Sequence, residues 1–172
     1  MKKISIGYTL IELVVTVALL AIVLMSGTAI FYKSFRSSGI SDVHTVVDND
    51  LRSLGEMLEK TLRYGTVVRI GDSTRVECLA SVDGVSDSSL IVRDLSGREA
   101  IYTLDGEQLS LNSAIISNPE IRVTNLEFTW YCRSGVNDKM NLLITATSSL
   151  ITGEVASSTL NKDIYLLNSG IN

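Results

Sequence analysis

The chain has 172 residues, 45% of them apolar and 20% charged, with 12 Gly, one Pro, two Cys and one His, enough for one domain with a full core and too short for two. Fifteen Lys+Arg against nineteen Asp+Glu leave a net charge of −4, which excludes a strongly basic nucleic-acid-binding footprint; the composition likewise excludes collagen-like, proline-rich, cysteine-framework and coiled-coil chains. Mean hydropathy is +0.27, high for a soluble domain, and the excess is concentrated at one end.

The N-terminus opens with Lys2 and Lys3. From Leu13 to Tyr32 no charged residue occurs, and only Thr16, Ser26, Gly27 and Thr28 interrupt Val, Leu, Ala, Ile, Met, Phe and Tyr. Such a run spans roughly 30 Å as a helix, the thickness of a bilayer's hydrocarbon core, and nothing comparable follows Arg36, so one membrane span is expected. An ordinary cleaved secretory signal is the competing reading. The run exceeds the roughly 7–15 apolar residues of a signal core, and no small-x-small cleavage site ends it. Glu12 sits just inside the apolar region, where an unpaired charge costs about 2.5–3.5 kcal/mol on insertion scales. An acid there needs a partner.

Met1-Lys2-Lys3-Ile4-Ser5-Ile6-Gly7 followed by Tyr8-Thr9-Leu10-Ile11-Glu12-Leu13-Val14-Val15 resembles the leader and first mature turns of the type IV pilin and pseudopilin superfamily. The motif covers about the first thirty residues. The resemblance implies that a prepilin peptidase cuts between Gly7 and Tyr8 and methylates the new terminus at Tyr8. It also implies that Glu12 remains in the mature helix as the assembly residue, with other pilin or pseudopilin subunits and an inner-membrane assembly platform as partners. The spacing fits this chemistry: cleavage exposes an α-ammonium at Tyr8, and Glu12 lies about one helical turn away on the same face. In a staggered filament the carboxylate of one subunit can neutralise the amine of another, a pair whose rupture in apolar surroundings leaves a buried charge. The competing reading of Glu12 is an incidental acid at the membrane interface. Tyr8 stands where the family more often has Phe. Ala29 stands where major pilins carry a helix-breaking proline, which tilts the resemblance toward a minor pilin or pseudopilin; Ser26-Gly27 and Gly39 are the nearest weak points.

Beyond the span, Ile40, Val43, Val46, Val47, Leu51, Leu54, Leu58 and Leu62 recur at intervals of three and four, an amphipathic helix. Its opposite face carries Asp42, Asp48, Asp50, Arg52, Glu56, Glu59 and Arg63, and Gly65 is the expected stop. The sequence thus divides into a leader at 1–7, a membrane and assembly half of a helix at 8–32, an amphipathic half at 33–64 and a β-rich head at 65–172. A helix from Tyr8 to Tyr64 measures roughly 85 Å.

After Gly65 short β-branched runs are broken by turn residues. Thr66–Ile70, Arg75–Ala80, Leu90–Asp94, Glu99–Leu104, Gln108–Leu111, Ile121–Cys132, Asn141–Thr147 and Asn161–Leu167 read as strands. Asp105-Gly106 is the clearest hairpin turn and Ser96-Gly97 a weaker one. With no intervening helix these predict an antiparallel meander, one face against the amphipathic helix: an α+β, pilin-like fold. Polar loops are expected at Ser81–Ser89, Ser134–Lys139 and Ser148–Ser158. Asp83, Asp87 and Ser89 invite a calcium reading, but no EF-hand spacing is present and solvated turn acids are the simpler reading.

Alternation on the strands containing Cys78 and Cys132 points both sulfurs toward one core. Outside the cytoplasmic membrane a disulfide persists, and one closing a loop of this size adds about 4 kcal/mol by the chain-entropy estimate; two buried free thiols are the alternative. Catalytic constellations are scarce. His44 lies in the helical segment, and there is no phosphate loop, Cys-x-x-Cys or His-x-x-x-His pair. Trp130-Tyr131 reads as strand core plus a surface aromatic. No metal or cofactor is implied, and a structural rather than enzymatic role is expected. With the leader removed, thirteen basic side chains face nineteen acidic ones, so DNA capture has little support beyond a local grouping of Arg69, Arg75, Arg93 and Arg98. The expected function is a minor pilin or pseudopilin of a type IV pilus or type II secretion-like filament. The alternatives are a single-span anchored extracytoplasmic binding protein and a secreted hydrolase.

Overall fold

The computed structural model describes residues 9–149 and 155–169; Gly7 and Tyr8 lie outside them. The fold is α+β: one long N-terminal helix, α1 (Leu10–Tyr64), followed by antiparallel sheets. The chain forms two compact units, residues 1–41 and 42–172. In the first, α1 passes through Gly27 and Gly39 without interruption.

The second unit begins with the amphipathic half of α1. Val47, Leu51, Leu54, Leu58 and Leu62 are buried and Val43 partly so, whereas Val46, expected on the same stripe, is exposed. Val46 lies one residue from Val47, about 100° away around the helix, which carries it off the contact face. The helix ends at Tyr64, and Gly65 donates its N–H to Thr61 C=O at 2.9 Å. The glycine is required by close approach: a Cβ there would lie 2.4 Å from Val92 Cγ1 and 2.7 Å from the Thr61 carbonyl oxygen.

The expected single meander is two sheets. The first contains β1 (Thr66–Ile70), β3 (Leu90–Arg93), β4 (Glu99–Asp105), β5 (Gln108–Leu111) and β6 (Ala114–Ile115), in that spatial order. The second runs β2 (Val85–Asp87), β7 (Arg122–Tyr131), β8 (Lys139–Ser149) and β9 (Val155–Tyr165). All pairings are antiparallel. The split arises because β2, inside the segment expected to be a polar loop, pairs with β7 (Val85 opposite Trp130) and not with its sequence neighbours. At the Asp105-Gly106 hairpin, Asp105 pairs with Gln108, so the two loop residues are Gly106 and Glu107. A second hairpin, unread in the sequence, joins β5 to β6 through Asn112 and Ser113, both with positive φ.

Arg75–Ala80 is not a strand but a short helix, α2. The reason is local: Glu77 accepts the Thr74 backbone N–H at 2.8 Å and is also bonded by the Thr74 hydroxyl, half of a Thr-x-x-Glu capping box at the first turn. These bonds, the hydroxyl's first, hold the Glu77 carboxyl below its ordinary range.

Both sheets and α1 contribute to one core, which includes Tyr102, Phe128, Trp130, Leu142, Ile144 and Ile164. Cys78 on α2 is disulfide-bonded to Cys132, 54 residues later. Buried Asp138 accepts Arg75 Nε at 3.1 Å and the Ser169 hydroxyl at 2.6 Å. Disulfide and ion pair together fasten α2 to the second sheet.

Candidate functional site

In the first unit, every large apolar side chain from Leu10 to Phe35 is exposed. The helix is long and apolar enough to cross a membrane, and none of its most apolar stretch is buried. The three hydroxyls within it are satisfied internally: Thr16 donates to Leu13 C=O, Ser26 to Val23 C=O and Thr28 to Met25 C=O, each at 2.9 Å. Side chains bonded back to the preceding turn bring no unpaired polar group into an apolar environment.

Glu12 lies in the first turn of α1 and is exposed. Its backbone N–H is received by Thr9, at 3.1 Å by the carbonyl and 3.4 Å by the hydroxyl. Among the described residues its carboxylate has neither a hydrogen bond nor an ion pair. The helix N-terminus favours negative charge at this position through its unbonded N–H groups and dipole. From Leu10 to Phe35 the segment therefore offers an apolar surface with one acidic side chain, Glu12, unpartnered among the described residues in the first turn of the helix, and one basic side chain, Lys33, near the other end. Gly7 and Tyr8, the processing and methylation positions, lie outside the described residues.

In the second unit, an open cleft of about 720 Å³ is lined by residues that include Val82, Tyr131, Arg133, Val136, Lys139 and Tyr165. Gly84 forms part of its floor with φ of +81°, and a Cβ there would strike the Trp130 carbonyl and the Tyr131 ring. Tyr131 is thus held against main chain on one side, while Lys139 Nζ lies 4.6 Å from its ring centroid. Tyr165 and Val82 are largely exposed. Cys132 also lines this cleft, so the disulfide fixes one of its walls. A more apolar groove of about 510 Å³ lies between the end of α1 and the β3–β4 and β5 region, with Tyr64, Leu95 and Tyr102 among its walls.

The remaining sequence candidates are not brought together. Asp83 lines the first cleft, while Asp87 accepts the Ser89 N–H at 2.8 Å in a local turn. Among the described residues no group of three or more His, Cys, Asp or Glu side chains is placed to hold a metal. His44 is exposed on α1. Of the four arginines considered as a basic grouping, Arg75 pairs with Asp138, Arg93 with Glu99 and Arg98 with Asp94, so three are neutralised within the head. Trp130 is fully buried. The cleft itself was not legible in the sequence, because its walls come from three segments separated in the chain, around 81–84, 131–139 and 165; the only local signal was the polar texture of 81–89 and 134–139. Comparison with protein-family models, curated proteins and solved structures gives no match to this chain.

Proposed function

We propose that the chain is a minor pilin or pseudopilin, a structural subunit of a type IV pilus or type II secretion-like filament. On this reading it enters the cytoplasmic membrane as a single-pass protein with an extracytoplasmic head. A prepilin peptidase processes it after Gly7 and methylates Tyr8, and it assembles with other pilin or pseudopilin subunits on an inner-membrane platform. The supporting observation is the first unit of α1: an uncovered apolar helix whose Thr16, Ser26 and Thr28 hydroxyls are satisfied and whose single acidic side chain, Glu12, has no partner among the described residues. An apolar helix of this kind is satisfied first by lipid and then by neighbouring helices, and the carboxylate by a neighbour's terminal amine. Loss of one partner from such a pair in apolar surroundings costs on the order of 3–5 kcal/mol, which makes it a register device.

Glu12→Ala tests the reading. The variant is expected to insert, to be processed to a terminus at methylated Tyr8 by mass spectrometry, and to be absent from sheared filaments. Normal incorporation of the variant removes the assembly role. The head cleft favours one second reading, a membrane-anchored extracytoplasmic binding protein; its function is indifferent to Glu12→Ala, and an uncut Met1 terminus supports it.

A further inference from the structure

The second sheet ends in β9, an eleven-residue strand paired with β8 over its whole length without a register shift. The opposite end of that sheet is the three-residue β2, and the first sheet ends in β1 and the two-residue β6. The long open edge is therefore β9, and among the described residues no further backbone hydrogen bond reaches positions 155–165. The direction of its edge groups follows from Leu166, whose N–H donates to Asp138 C=O at 3.0 Å just beyond the strand. In an antiparallel pair bonded positions alternate, so even-numbered residues of β9 bond to β8. The N–H and C=O groups of Val155, Ser157, Thr159, Asn161, Asp163 and Tyr165 then point to the outer edge.

Edges of this length are usually guarded by proline, a bulge or charges. The chain's one proline is Pro119, and β9 carries no bulge. Its two charged side chains are engaged within the head, Lys162 by Glu59 and Asp163 by Asn141 at 2.8 Å and Lys139 at 3.4 Å. An unguarded edge selects a strand that can match it. The sequence VASSTLNKDIY matches itself: folded antiparallel about its middle residue, Leu160, it sets Val155 opposite Tyr165, Ser157 opposite Asp163 and Thr159 opposite Asn161 on one face. On the other face Ala156 opposes Ile164, Ser158 opposes Lys162, and Leu160 meets its own copy. No charge faces a like charge, and each charged residue faces a serine. This register also pairs all six outward-bonding residues, where a shift of the axis leaves some unpaired.

We propose that two copies of this chain join through β9, antiparallel about a two-fold axis at Leu160, and fuse their four-stranded sheets into one. The proposal does not rest on the filament reading. Its test uses the full-length chain in membranes. Differently tagged Thr159→Cys and Asn161→Cys copies are co-expressed and oxidised with copper phenanthroline. The axis predicts mixed disulfide-linked dimers at least ten-fold more abundant than homodimers of either variant alone, and equally abundant when both copies also carry Glu12→Ala. Thr159→Pro deletes an outward N–H and no bond to β8, a substitution edge strands tolerate. It is expected to reduce co-purification of two tagged copies at least ten-fold while the Cys78–Cys132 bridge still forms. Should that bridge fail to form, Ser157→Pro, whose N–H also points outward, takes its place. A mixed pair that links no better than the single variants overturns the proposal, as does co-purification that survives proline. Linkage that disappears with Glu12→Ala also overturns it and assigns the contact to filament packing; filaments that form despite Glu12→Ala defeat only the filament reading.

Discussion

Asp94 shows how one carboxylate organises a turn. Its Oδ1 accepts the Ser96 hydroxyl at 2.6 Å, the Ser96 N–H at 2.8 Å and the Arg98 N–H at 2.9 Å, and Oδ2 accepts Arg98 Nε at 3.2 Å. The Ser96 hydroxyl first, then the Arg98 backbone N–H, pull its pKa from 3.8 to about 2. Because the folded value lies below the unfolded one, the contribution to stability is complete above about pH 4. It is lost only as pH falls through about 2. A carboxyl-carbon NMR titration is expected to place the Asp94 midpoint near 2, and a midpoint near 3.8 refutes the arrangement. Asp94→Asn, which cannot ionise, should remove this turn's pH dependence over that range. Glu12 presents the opposite situation at the same scale, a carboxyl group to which no side chain among the described residues donates.

At the scale of elements, the second hairpin carries identifiable strain. Asn112 and Ser113 both adopt positive φ, 51° and 67°, the pairing a two-residue type I′ turn requires, with glycine preferred second. Serine in that region is penalised by its Cβ, so Ser113→Gly is expected to stabilise the head by about 0.5–1 kcal/mol after the glycine's greater unfolded-state freedom is counted. A higher urea midpoint with an unchanged slope checks it. Replacing Cys78 and Cys132 together by Ala should cost about 4 kcal/mol by the chain-entropy estimate, again read from the urea midpoint. Both elements mark where sequence reading stopped. Residues 112–113 carry no Asn-Gly dipeptide, so the turn was silent. Arg75–Ala80 alternates Val, Cys and Ala with Arg, Glu and Leu closely enough to pass for a strand, and only the Thr74–Glu77 spacing, present in the sequence, spoke for a helix. By contrast Val47 to Leu62 repeat over several turns, long enough for the 3.6-residue period to be unambiguous, and α1 was legible for that reason. The division into two sheets depends on β2 choosing β7 across more than thirty intervening residues, a choice no local pattern encodes.

At the scale of the molecule, the hydropathy excess and the core belong to different parts of the chain. The exposed apolar side chains of α1 cluster before Phe35, while the buried ones begin at Val47. Among the described residues, no core residue of the head precedes Val43. A chain beginning at Asp42 is therefore expected to be soluble without detergent, to form the Cys78–Cys132 bridge, and to unfold at the same urea concentration as the full-length protein in detergent. A loss exceeding about 1 kcal/mol assigns the head a dependence on the N-terminal helix.

The first and last elements of the head hold one another. Glu59 pairs with Lys162, the Leu167 N–H donates to Arg63 C=O at 2.9 Å, and the Asn168 side chain donates to Tyr64 C=O. Contacts of such sequence separation form late. A head delivered from its α1 end to the compartment where it folds will present Leu51, Leu54, Leu58 and Leu62 uncovered until the last strand has followed. During that interval the helix is a sticky intermediate that a chaperone or another chain can seize. The time needed to deliver about a hundred residues, rather than the stability of the finished head, then sets how much of the protein is lost to aggregation.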